Sequence, residues 1–171
     1  MPHPLVAQLH FTRREWLRAL EGVSDADARR RFPPMNCISW MIGHLASHEH
    51  YCWVLEAQQK NVAPELEALV GYEQPASTPP LDDMWAAWQA VTRAADDYLE
   101  TLTTDSLQTF LLIDGKPAEE NVGTMLHRLM YHYWYHLGES QAVRQLLGHT
   151  RLPEFVGDIQ VYAPYRPEAG A

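Results

Sequence analysis

The chain has 171 residues, 46% of them hydrophobic and 20% charged, which fits one folded domain over 1–171 and excludes a disordered chain. Lysine and arginine total 13 against 22 aspartate and glutamate, a net charge of −9, so neither nucleic acid nor an anionic membrane surface is expected as a partner. No apolar run is long enough to span a bilayer, and the opening Met1-Pro2-His3-Pro4 lacks the pattern of an export signal, which gives a cytoplasmic expectation.

Pro4 opens a first helix that repeats Leu5, Leu9, Thr12, Trp16 and Leu20 and ends at Gly22. Ser24 caps a short turn before the Phe32-Pro33-Pro34 break. Asn36 or Ser39 caps a second helix to about Gln59, whose stripe of Ile38, Met41, Leu45, His48, Cys52 and Leu55 mixes apolar residues with imidazole. Residues 60–80, rich in proline, make a long connection across one end of the fold. A third helix runs from Leu81 to about Leu102 on Met84, Trp88, Val91, Ala95 and Tyr98. The stretch from Thr109 to Pro117 holds an apolar run and an Asp-Gly turn, too brief for a sheet alone, and is expected as a loop with strand character. Asn121 caps a fourth helix, closed by Gly148, with Met125, Leu129, His132, His136, Val143 and Leu147 on one face. The tail from about 150 to 171 is expected to be irregular, packed on the bundle or a partner without a further helix. The whole reads as an all-α four-helix bundle.

Nine histidines are the unusual feature. His132 and His136 lie four apart, as do His44 and His48, and on a helix that spacing puts two imidazoles on one face within reach of one cation. Buried imidazoles need partners, and two kinds are open on spacing alone: a metal ion, or ordinary hydrogen bonds to Tyr131, Tyr135 or the backbone. His3, His10, His50, His127 and His149 have no consistent partners by spacing and read as surface or local hydrogen-bonding groups. Trp16, Trp40, Trp53, Trp85, Trp88 and Trp134 read as packing residues. Cys37 and Cys52, with no CxxC, read as reduced packed thiols. The sequence has no HExxH, no Glu-x-x-His of the di-iron kind, and no GxGxxG, phosphate-loop or GxSxG motif, which removes the corresponding chemistries.

The strings Asn36-Cys-Ile-Ser-Trp-Met-Ile-Gly-His-Leu-Ala-Ser-His-Glu and His132-Tyr-Trp-Tyr-His-Leu-Gly-Glu, with the helix order and the long second connection, resemble the DinB-like, or YfiT-like, family of bacterial proteins. The resemblance implies a four-helix bundle in up-up-down-down order, commonly a homodimer. It also implies that His44, His132 and His136 bind one divalent cation, zinc or nickel best suiting imidazole. His48 is outside the family's usual three; it would close the site as a fourth ligand or support it from behind.

Three protein ligands leave a position where a thiol or water can bind and be activated. The family includes thiol transferases that use low-molecular-weight thiols, and many members assigned as metal-dependent hydrolases. A metal-dependent enzyme acting on a small-molecule substrate, with such a thiol as cosubstrate, is therefore the first expectation. A non-catalytic metal-binding or structural homodimer acting through a protein partner is the second. Glu139, three residues after His136, and Glu49, beside His48, are candidates to orient a ligand or accept a proton, against an ordinary role as surface or capping charges.

Overall fold

The computed structural model describes residues 2–166. It is mainly helical: α1 (Pro4–Leu20), α2 (Asp25–Ala28), α3 (Ile38–Glu49), α4 (Leu66–Val70), α5 (Leu81–Leu99), α6 (Thr104–Leu107), a hairpin of β1 (Phe110–Ile113) and β2 (Lys116–Asn121), α7 (Val122–Leu146) and α8 (Ile159–Tyr162). No helix among the described residues is long and apolar enough to cross a membrane.

The helix ends follow local chemistry. Pro4 supplies the first-turn residue of α1, and the His3 ring accepts from the Leu5 N–H at 3.1 Å. Asn121 caps α7 by accepting from Thr124 N–H at 2.8 Å, and Gly148 ends it with φ +81°. Neither Asn36 nor Ser39 caps α3; Cys37 holds that position without a capping side-chain bond. The first N–H of α5 is capped from a distance, donating to Asp25 Oδ1 at 2.8 Å.

Beyond Glu49 the α3 helix widens into a π-helical segment, His50–Glu56. Its buried His50, Cys52, Trp53 and Val54 keep it in the core, and Gln58 Nε2 donates at 2.7 Å to the carbonyls of both Trp53 and Ala94. His50 is thus a buried local acceptor, not a surface group, taking the Val62 N–H at 3.3 Å. His10 meets Asp96 at 3.3 Å, and His149 lies between Arg144 and Asp27.

The four long helices pack in pairs, α1 on α7 and α3 on both α5 and α7. Trp16, Trp53, Leu45, Leu129 and Tyr133 are fully enclosed between them. All six tryptophans belong to or border this core.

Two further expectations are corrected. The stretch after Thr109 forms a two-stranded antiparallel sheet, because Asp114 and Gly115 both take positive φ and make a two-residue turn between Ile113 and Lys116. The tail contains the single helical turn α8, docked on α1: Arg14 stacks on the Tyr162 ring at 3.3 Å and Gln8 Nε2 donates to Ala163 O at 3.0 Å. Residues 167–171 of the expected irregular tail lie outside the described residues.

Candidate metal centre

Helices α3 and α7 bring His44, His132 and His136 together, with one ring nitrogen from each lying within 4.8 Å of the others. The cluster could hold a metal ion. His132 Nε2 and His136 Nε2, one helical turn apart, are separated by 3.0 Å.

Each ring is held through its Nδ1. His44 Nδ1–H donates to the Val70 carbonyl at 2.8 Å. His136 Nδ1–H donates to Glu139 Oε2 at 2.8 Å. His132 Nδ1 lies 2.9 Å from His48 Nδ1. A carbonyl and a carboxylate only accept, so His44 and His136 each carry hydrogen on Nδ1, which is the hand-off that fixes the tautomer of a metal-binding imidazole. In the tautomer with hydrogen on Nδ1 alone, Nε2 keeps its lone pair. With His132 donating to His48 in the same way, lone pairs face each other across the cluster, an arrangement a cation relieves.

Electrostatics favour neutral rings. Burial, with the neighbouring imidazoles His136, His48 and His44, pushes His132 down to about 3. Burial and then His44 push His48 down to about 4, and burial lowers His44 as well. Neutral imidazole is the metal-binding form, so at neutral pH no proton need be displaced from His44 or His132.

Sequence details explain the positioning. Gly43 precedes His44, and a Cβ there would overlap Met84 Sδ and meet Val70 Cγ2 at 3.0 Å; its absence lets α4 approach α3 closely enough for the Val70 carbonyl to reach His44. Trp40, one turn before His44, stacks on its ring at 4.4 Å and 17°.

The cluster forms the floor of an open cleft of about 1310 Å³ whose lining includes Trp40, Tyr51, Tyr72, Tyr131, Tyr135 and Glu67. Tyr131 and Tyr135 make no hydrogen bond to the imidazoles; their rings are largely exposed at this cleft. Glu139 does contact a cluster histidine, as its i, i+3 spacing from His136 allows.

Glu49 does not. It is fully buried, accepting from Arg13 Nε at 2.9 Å and Tyr133 OH at 2.6 Å, with a second close contact to Arg13 Nη2. Cys52 is equally remote from nucleophilic chemistry, since burial and then Glu49 push its thiol up to about 12. Two contributors went unread in the sequence: the Val70 carbonyl, which no residue type advertises, and Glu67, which sits in the proline-rich connection and contacts α3 only through the fold.

A family model for the DinB superfamily matches residues 8–140, a span that contains all three clustered histidines. The chain belongs to the DinB superfamily. A comparison with curated proteins found no significant match. Within this DinB protein, the matched region ends inside α7, before the α8 turn that docks on α1.

Proposed function

We propose that this DinB-superfamily protein is a metal-dependent enzyme in which His44, His132 and His136 bind one divalent transition-metal cation, zinc or nickel, through their Nε2 atoms. The supporting observation is the set of three rings converging below an open cleft, two of them held by Nδ1 acceptors at 2.8 Å. A cation bound by three imidazoles acts as a Lewis acid, lowering the pKa of a thiol or water at its remaining position. The chain's own contribution is to hold the three rings oriented, with His48 and Glu139 behind them, to keep His44 and His132 neutral by burial, and to open the site on one side for a small substrate. Thiol transfer, with a low-molecular-weight thiol as cosubstrate, and hydrolysis are the two reaction classes such a site serves.

The same reading gives the four long helices the family's up-up-down-down order, a homodimeric assembly and a cytoplasmic setting. Elemental analysis of tag-free protein tests the central claim. About one equivalent of a divalent transition metal in the wild type, lost in both His44→Ala and His132→Ala, is the expected result. Absence of metal after incubation with zinc or nickel removes the enzyme reading.

A further inference from the structure

The walls of the cleft carry a chemistry that the metal site does not use. Tyr72, Tyr131 and Tyr135 are 78%, 67% and 69% exposed, a degree of aromatic exposure that a solvent-facing surface has no packing reason to keep. Glu67, Glu73 and Glu120 share those walls with a single arginine, Arg128. That arginine is already taken: its Nε donates to Glu120 Oε2 at 2.8 Å and its Nη2 contacts the other oxygen. Among the described residues, neither Glu67 nor Glu73 has a basic partner.

Glu67 is fixed in place. The buried Ser47 hydroxyl donates to its Oε2 at 2.5 Å, and Ser47 lies on α3 between His44 and His48, so the carboxylate is tied to the wall beside the histidine cluster.

We propose that the cleft selects a small substrate or cosubstrate bearing a cationic group, a primary amine or quaternary ammonium, alongside the group that enters the open metal position. This rests on the metal reading above. An anionic molecule would find no lysine and no free arginine among the described residues of the walls, only the His127 imidazole, and would face two carboxylates. A cation gains from both wall features independently, from the carboxylates by Coulomb attraction and from the tyrosine faces by the ring quadrupole.

The test uses full-length protein loaded with cobalt(II), whose sulfur-to-metal charge-transfer band reports thiol coordination without any turnover. Cysteamine, mercaptoethanol and mercaptopropionate, which are cationic, neutral and anionic, are titrated into the wild type and into the double variant Glu67→Gln, Glu73→Gln. Comparing each thiol across the two proteins cancels the thiols' own differences in acidity. Cysteamine is expected to bind the variant about five- to tenfold more weakly, mercaptopropionate more tightly, and mercaptoethanol equally. In the wild type alone, raising salt is expected to weaken cysteamine and not mercaptoethanol, a check that needs no variant. Equal response of the three thiols, or cobalt binding with no thiol band, overturns the inference and leaves the metal site standing. Failure to bind cobalt overturns the metal reading itself.

Discussion

Tyr133 donates a 2.6 Å hydrogen bond to Glu49, one residue beyond the point where His132 meets His48 at 2.9 Å on the same two helices. The two contacts are adjacent in register, one polar and buried in the core, the other at the cleft. Around the first, Trp88 Nε1 donates to the Tyr133 hydroxyl at 2.7 Å, and Arg13 bridges Glu49 to Asp96, with 2.6 Å to Asp96. One residue network thus links α1, α3, α5 and α7, and it fixes α3 against α7 where the histidines must meet.

Arg13 is the countercharge of this network. Although burial works against its charge, Glu49 holds the guanidinium pKa above its ordinary value. Arg13→Met would leave the Glu49 carboxylate enclosed without a countercharge, and removing one partner of a buried pair costs about 3–5 kcal/mol. Denaturant unfolding is expected to show a loss of that size. A change below about 1 kcal/mol would mean that water or another group compensates Glu49.

At the cluster, the ligand and the residue behind it separate by magnitude. His132→Ala removes a ring from a set of three and is expected to lower zinc affinity by more than about 100-fold. Glu139→Gln keeps a carbonyl acceptor for His136 Nδ1–H but loses the negative charge, and a loss of about 10-fold is expected. Calorimetric titration of metal-free protein measures both. Equal losses in the two variants would make Glu139 a ligand in its own right.

Local rules made the helix frame legible, and tertiary contact decided the rest. Pro4, Gly22, Asn121 and Gly148 act on their own neighbours, so α1 and α7 could be bounded from the sequence. The π-helical segment after Glu49 keeps an apolar composition that an α-helix also shows, and it left no signal. Glu49 and Arg13 look like surface charges in a list of residues; only the packing of α1 against the rest of the core encloses them together. His132 and His136 announce a pair by spacing, whereas the choice of His44 over His48 came from resemblance. In the structure His44 Nδ1 is bonded to the Val70 carbonyl and its ring joins His132 and His136 in the cluster, whereas His48 contacts His132 through Nδ1.

Acid is expected to destabilise the metal-free protein before its carboxylates titrate. His132, at about 3, and His48, at about 4, hold their protons less well folded than unfolded, where the ordinary value is 6.5; His44 shifts in the same direction. The unfolded chain therefore binds more protons below pH 6.5, and stability is full above that value and falls as pH drops toward the folded values. Between about pH 6.5 and 5, where most carboxylates remain ionised, unfolding should take up between one and three protons. Thermal melts across that window check it: Tm is expected to fall with pH in the wild type and to fall less in His132→Asn. A flat Tm would show that these rings protonate freely in the folded state.

Gly43 offers the sharpest link between packing and chemistry. In Gly43→Ala the new methyl would press on two neighbours: the Met84 thioether can swing aside, but Val70 is β-branched and its Cγ2 would lie 3.0 Å away. Relief therefore comes from moving Val70, which carries the carbonyl that holds His44 Nδ1 at 2.8 Å. Overpacking of this kind costs about 1–3 kcal/mol, and here it is expected to be accompanied by weaker zinc binding although no ligand has changed. Pairing the unfolding free energy of Gly43→Ala with its zinc affinity distinguishes the two effects. A variant that loses stability but binds zinc as the wild type does would show that His44 is held by Trp40 stacking and α3 itself, and that the Val70 carbonyl is dispensable.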